Sequence, residues 1–310
     1  MRAFLWWAGR IVATVLVIGC IAIVVARAFK IDFGPFAYLV PLIPYCTVVL
    51  LVALVLSLVT RWWIVAGVGA LALALIVFWW LPPFINSPAN AKPTLVAATS
   101  NIALGEGDAC AVVAMVKQHK VDLLAVEEMT PESLIRLNAC GLFDLLPHSY
   151  VEPRGGASGT GMFSKYPISN AHGNQSTALA NLEAQVELPN GQQATWLAVH
   201  VAGIVPGEHP LWDAEAKAMP AYVGAFRGPV ILTGDFNSTR DQPLILNLES
   251  VGYADSATVA GSGLVRTFPS DFPFVGIDHV MTRELNMSAL STSVVLIPGS
   301  DHRAFVATYG

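Results

Sequence analysis

The stretch 229–241, PVILTGDFNSTRD, decides how this chain is read. Its first half is apolar and β-favouring, and it then stops at Gly234-Asp235-Phe236-Asn237. In extended backbone, residues i and i+2 point to the same side, so Asp235 and Asn237 share one face at a strand end. A carboxylate beside an amide can orient a water, a metal or a phosphate. The same residue types are ordinary turn formers, so the rest of the chain must decide between a strand cap and a site.

The N-terminal part differs in kind. Residues 4–26, 36–59 and 64–84 are three apolar runs, each long enough to cross a hydrocarbon core of about 30 Å. The charged residues before position 85 are Arg2, Arg10, Arg27, Lys30, Asp32 and Arg61. Trp6-Trp7, Trp62-Trp63 and Trp79-Trp80 lie near run ends, where aromatic side chains settle at a membrane–water interface. A cleaved signal peptide accounts for one such run and not for three. Residues 1–84 are therefore expected to be a membrane domain of three transmembrane helices, multi-pass in the cell membrane. Residues 85–93, INSPANAKP, read as a tether, and 94–310 as a catalytic domain.

Of the 17 basic and 22 acidic residues, five basic and one acidic lie in the membrane part, leaving 12 against 21 beyond it. That balance, with no basic run, argues against a nucleic-acid partner, whose footprint is clustered Lys and Arg. Arg2 and Arg61 on one side against Arg27, Lys30 and Lys92 on the other leave the positive-inside count nearly even. A bridge between Cys110 and Cys140 implies an oxidising compartment, though two buried thiols fit the sequence equally well. The expectation is an extracytoplasmic catalytic domain.

Beyond the tether, strands and helices alternate. TLVAATSN (94–101) and VDLLAVEE (121–128) read as strands. The helix at 108–120 takes Asp108 as its N-cap, and that at 130–140 takes Thr130 with Pro131 at the first helical position. Strands then dominate at 159–168, 181–189 and 194–201, the last two joined by a turn at NGQQ. A helix near 211–226, the opening strand, 274–283 and 291–310 complete a mixed α/β sandwich.

Polar residues collect at the ends of these strands. Asn101 ends the first, and Glu127-Glu128 the second. His200 ends TWLAVH, and Asp235 with Asn237 closes VILTGDFN. Asp278-His279 interrupts VGIDHVM, and Asp301-His302 opens the last strand. Polar groups at six strand ends, on strands otherwise apolar, point to one shared crevice.

The pieces SN (100–101), VEE (126–128), GTGMFSKYPI (159–168), AVH (198–200), GDFN (234–237), GIDHV (276–280) and SDH (300–302) resemble, in order, the endonuclease/exonuclease/phosphatase (DNase I-like) superfamily. The resemblance implies a DNase I-like four-layer α/β sandwich, here preceded by three transmembrane α-helices. It implies a divalent-metal-dependent phosphoric ester or anhydride hydrolase that uses Mg²⁺, with Mn²⁺ as a substitute. Glu128, Asn101 and Asp301 take the metal-binding positions. Asp235 takes the place of the group that activates water, and Asn237 that of a phosphate- or water-holding amide. His302, oriented by Asp278, faces the phosphate, and His200 donates to another of its oxygens. The three spans and RTFPS (266–270) also resemble a membrane-anchored actinobacterial group associated with teicoplanin-type resistance and lipid-carrier pyrophosphate chemistry.

Two departures weaken a nuclease reading. The acid that several family nucleases place before the GTGMFS strand is missing from GGASGTG, and Glu152 is the nearest candidate. The tyrosine of the abasic-site enzymes is absent as well. Glu127 reads as a supporting or surface group and His279 as facing away from Asp278. His119, His148, His172 and His209 read as surface residues, and Arg154 as a solvated loop cation. The expected function is hydrolysis of a lipid-linked phosphate at the membrane surface, polyprenyl pyrophosphate first and phospholipid second. The alternatives are an extracytoplasmic metal-dependent nuclease and a catalytically inactive membrane scaffold or sensor.

Overall fold

A computed structural model describes residues 2–204 and 209–310, and the chain divides into two compact units. One comprises Met1–Pro82 with Arg240–Leu246, the other Pro83–Thr239 with Asn247–Gly310.

In the first unit, helices α1 (Arg2–Ala28), α2 (Ile43–Val59) and α3 (Trp63–Trp80) carry the apolar runs. Ala3–Ala28, Phe36–Val59 and Trp63–Trp80 are long and apolar enough to span a membrane. The second span is not one regular helix. A turn at Phe36–Leu39 and a 3₁₀ segment at Val40–Leu42 precede α2, because Pro41 and Pro44 cannot donate backbone hydrogen bonds there. Val17, Cys20 and Val24 of α1 and Cys46, Leu50 and Ala53 of α2 follow helical spacing and form the buried seam. Leu71 and Phe78 on α3 point outward, as a lipid-facing surface requires.

The second unit is built on two six-stranded sheets. The first contains β1 (Leu95–Asn101), β2 (Leu123–Glu127), β3 (His148–Glu152), β4 (Thr160–Ser164), β11 (Ala289–Leu296) and β12 (Arg303–Tyr309), in the order β11-β12-β1-β2-β4-β3. The second contains β5 (Ile168–Gly173), β6 (Leu182–Glu187), β7 (Gln193–His200), β8 (Val230–Asp235), β9 (Ala254–Asp255) and β10 (Asp278–Arg283), in the order β5-β6-β7-β8-β10-β9. Each sheet is mixed, with parallel pairs at β1–β2 and β7–β8. Parallel neighbours need a crossover. Helix α4 (Ala109–His119) supplies the first and α5 (His209–Gly224) the second.

The period of two sorts each strand into two cores. Leu95 and Ala97 of β1, Leu123 and Ala125 of β2, Trp196 of β7, Ile231 of β8 and Val280 of β10 pack between the sheets. Val96, Ala98, Leu124 and Val126 face outward onto Val112, Met115 and Val116 of α4 and Leu137 of the helix Pro131–Ala139. Asp108 caps α4 by accepting the N–H groups of Cys110 and Ala111, and Thr130 forms a reciprocal cap with Ser133. These are the caps expected from the sequence. Cys110 and Cys140 form a disulfide, whereas Cys20 and Cys46 are free.

The run 291–310 divides into the antiparallel pair β11–β12, with SDH in the connection. Strand β3 was not expected; its residues are half-buried and show no alternation. His209 lies at the margin of the described residues, and its side chain is outside them.

Candidate active site

The same alternation that fills the inter-sheet core brings the polar residues together at its end. Asn101 follows Leu95, Ala97 and Thr99 on the inner face of β1, and Glu127 follows Leu123 and Ala125 on β2. His200 follows Trp196 and Ala198 on β7, and Asp235 follows Ile231 and Thr233 on β8. Register completes the cluster. His200 is the partner of Asp235 across the parallel pair, and Asp278 is its partner across the antiparallel pair β8–β10. Gly234 permits this closeness, since a Cβ there would collide with the carbonyl of Val199, and its φ of +156° disfavours any other residue.

Asp235 is buried at 1% exposure and well held. Its Oδ1 accepts the N–H of Asn237 at 2.8 Å, and its Oδ2 accepts Asn101 Nδ2 at 3.0 Å. Asn101 Nδ2 also donates to Glu128 Oε1 at 3.1 Å, while Glu128 Oε2 accepts the N–H of Leu104 at 2.6 Å. Asn101 therefore links Glu128 to Asp235. Asn237, in a left-handed conformation with φ +44°, donates from Nδ2 to the carbonyl of Val201 at 2.9 Å. In this arrangement its amide braces the turn after β8.

His302 sits between two acids. Its Nδ1 lies 3.0 Å from Asp278 Oδ2, and its Nε2 lies 3.7 Å from Asp235 Oδ2. The loop before it is fastened to β1 by Ser300, whose Oγ donates to the carbonyl of Asn101 at 2.7 Å and accepts the N–H of His302 at 3.0 Å. The RTFPS segment packs against the same loop: Phe268 lies 4.9 Å from the His302 ring, and Ser270 N–H donates to the carbonyl of Asp301 at 2.6 Å. Asp301 itself is exposed.

Burial and charge set the protonation states. Burial opposes a charge on His302, but Asp278 and Asp235 outweigh it and raise its pKa to about 10. His200 is buried too, and with His302 beside it its pKa falls to about 3. It is neutral at ordinary pH. Burial raises Asp235 to about 7, partly offset by His302. Glu127, a surface or supporting group on sequence grounds, is fully buried, and burial holds its pKa well above the carboxylate range. Thr99 Oγ1 donates to its Oε1 at 2.7 Å, while Oε2 is buried without a partner.

Among the described residues, Asp235, Asp278 and His302 offer ligand atoms within 4.8 Å of one another, a group able to hold a metal ion. Glu128 adds a carboxylate joined to Asp235 through Asn101 Nδ2, while the amide oxygen of Asn101 accepts the N–H of Ala103 at 2.9 Å. A cluster this rich in buried carboxylate fits a hard cation, which prefers oxygen ligands.

Several expectations resolve differently. Glu152 does not reach His200: it accepts Tyr150 Oη at 3.0 Å and Arg154 Nη2 at 2.6 Å, while His200 Nδ1 is buried without a partner. Arg154 is thus paired rather than merely solvated. His279 does face away from Asp278, but into the protein, with Nδ1 3.0 Å from Asp255 Oδ2 and Nε2 2.9 Å from the carbonyl of Ser238. Asp255 carries no motif, and only the β9–β10 pairing brings it near.

The model of the Endonuclease/Exonuclease/phosphatase family matches residues 98–302, more than half of the chain. Solved structures share the fold. TDP2 of D. rerio, complexed with a single-strand DNA product, is 14% identical, with a TM-score of 0.58 over 71% of this chain and 100% of that one. The endonuclease/exonuclease/phosphatase of Bacteroides vulgatus is 16% identical, with a TM-score of 0.54 over 71% of this chain and 99% of that one. A functionally unknown conserved protein from Enterococcus faecalis V583 is 15% identical, with a TM-score of 0.54 over 70% of this chain and 99% of that one. No curated protein matches the sequence. With the family's span enclosing every residue gathered at the sheet ends from Asn101 to His302, the chain belongs to the endonuclease/exonuclease/phosphatase family.

Proposed function

We propose that this chain is a membrane-tethered, Mg²⁺-dependent hydrolase of a lipid-linked phosphate, with polyprenyl pyrophosphate the first candidate and a phospholipid the second. One observation carries the reading: a phosphoesterase site and three helices long enough to span a membrane stand in the same chain. A tether of about ten residues reaches roughly 30 Å at most, which favours a substrate held at the bilayer. The Cys110–Cys140 disulfide supports an extracytoplasmic site.

The residues divide the work. Asp235, raised to about 7, is matched to accepting a proton from water near neutral pH. His302, kept charged by Asp278, presents a cation to the phosphate oxygens. His200, neutral, donates one hydrogen bond without adding charge. Asn237 positions Asp235 and offers an amide at the mouth of the turn. Glu128, Asn101 and Asp301 are the residues to hold Mg²⁺, with Mn²⁺ as a substitute, beside the buried carboxylates of Asp235 and Asp278. Polarisation of a phosphoryl oxygen is what such a cation supplies when bound.

The experiment is a substrate panel with purified full-length protein and Mg²⁺, comparing polyprenyl pyrophosphate, phospholipid and plasmid DNA. Release of phosphate or headgroup from a lipid supports the proposal. Cleavage of DNA alone at physiological salt would replace it with the nuclease reading, which the acidic surplus disfavours. Inactivity on all three would favour a scaffold.

A further inference from the structure

The segment just after the catalytic strand carries a second cluster, which the hydrolytic chemistry does not use. Residues Arg240–Leu246 belong to the same compact unit as the membrane helices. Asp241 there is buried, with both oxygens engaged: Oδ1 accepts Arg27 Nε at 2.6 Å, and Oδ2 accepts Trp80 Nε1 at 3.1 Å. Arg27 is the basic residue in the last turn of α1, and its guanidinium lies 3.9 Å from the ring centre of Trp79. Arg240 stacks in the same way, 4.7 Å from the ring centre of Trp80.

The two arginines differ in one respect. Arg27 has a carboxylate, whereas Nε and Nη1 of Arg240 are both buried and without a hydrogen-bond partner. A guanidinium cannot shed its charge by deprotonating, and buried donors left unpaired cost stability. Asp241 lies in the field of both arginines but accepts its guanidinium hydrogen bond from Arg27, leaving the two buried donors of Arg240 open to an acceptor. A fork of N–H donors on a planar cation suits a phosphate.

A separate feature of the same unit bears on what could carry a phosphate to this cation. An apolar groove of about 530 Å³ in the same unit is lined by Val15, Gly19 and Ile23 of α1, by Leu39, and by Cys46 and Val49 of α2. Arg27 lies four residues beyond Ile23, on the same face of α1 and one turn on. Tryptophans at this helix end belong at the headgroup level of a bilayer. We propose that Arg240, stacked on Trp80, binds the phosphate group of a membrane lipid whose hydrocarbon chain lies along this groove. The choice of a lipid rests on the membrane reading above; the need of Arg240 for an anion does not.

The test uses full-length protein in neutral detergent, in an Asp235→Ala background so that hydrolysis cannot intervene. Thermal unfolding is followed with dioctanoyl phosphatidate, dioctanoylglycerol or inorganic phosphate. Phosphatidate is expected to raise the Tm by several degrees, and the other two to do so weakly or not at all. Adding Arg240→Gln should weaken the phosphatidate effect at least tenfold in concentration. Should that variant fold poorly, Arg240→Lys keeps the charge, loses the fork, and should show a weakening of the same sense. Equal protection in the arginine variants, or none in the parent, would overturn the proposal. Equal protection by inorganic phosphate would also overturn it, since the occupant would then need no lipid. None of these outcomes depends on whether lipid pyrophosphate is cleaved.

Discussion

His302 lies between Asp278 and Asp235, with Nδ1 3.0 Å from the first and Nε2 3.7 Å from the second. This buried acid–imidazole–acid line explains how one site holds both a charged histidine and a carboxylate poised near neutrality. It also makes the acids separable by mutation. Asp278→Asn removes the larger of the two carboxylate effects on His302, so the pKa of His302 falls from about 10. Activity that needs a charged His302 is then lost at lower pH than in the wild type. The alkaline limb of kcat/KM against pH should move to the acid side, with kcat down by about 10²–10³-fold. An unmoved limb would exclude His302 as the cation.

Asp235 should trade stability for function. Its folded pKa of about 7 exceeds the ordinary 3.8. Folding therefore favours the protonated form, and the associated stability, full below about 4, is lost as pH rises toward 7. In chelated protein, Asp235→Asn should raise stability at pH 8 by roughly 1–3 kcal/mol and leave it nearly unchanged at pH 4. Thermal unfolding at the two pH values measures the difference. Destabilisation at pH 8 would show that the burial cost of this carboxylate is misjudged.

Gly234→Ala tests the closeness of β7 and β8. The added methyl would collide with the Val199 carbonyl at a backbone conformation that already disfavours side chains. The two strands must separate beside both His200 and Asp235. The expected cost is about 3 kcal/mol or more, together with loss of hydrolysis. Wild-type stability in denaturant titration would contradict the placement of Asp235.

The Cys110–Cys140 bridge closes a sequence separation of 30 residues. Chain entropy for a loop of that size gives about 3–4 kcal/mol. The Cys110→Ser/Cys140→Ser double variant should lose stability of that order, and reducing agent should destabilise the wild type but not the variant. Free thiols at both positions in protein taken from native membranes would argue against an oxidising compartment.

Much of this site was legible because its residues close apolar strands. Alternation places Asn101, His200, Asp235 and Asp278 on inner faces without reference to any partner. The burial of Glu127 was not legible: two adjacent glutamates look alike in a string, and only the inter-sheet face separates them. His279 escaped for a related reason. Facing away from Asp278 does not mean facing solvent, and its partner Asp255 comes from a two-residue strand that no local pattern announces. Strand β3 lacks alternation because it is an edge strand, half-buried throughout. Least legible was the grouping of Arg240–Leu246 with the three long apolar helices, a long-range relation written in the pairing of Arg27 with Asp241.

The most direct measurement of the central claim is phosphate release from a polyprenyl pyrophosphate in detergent, wild type beside Asp235→Ala, with Mg²⁺ and with chelator. The account predicts release by the wild type with Mg²⁺, a loss of at least about 10²-fold in the variant, and silence under chelation. Equal release from wild type and variant would contradict the assignment of Asp235. Silence from the wild type with Mg²⁺ present would contradict the substrate.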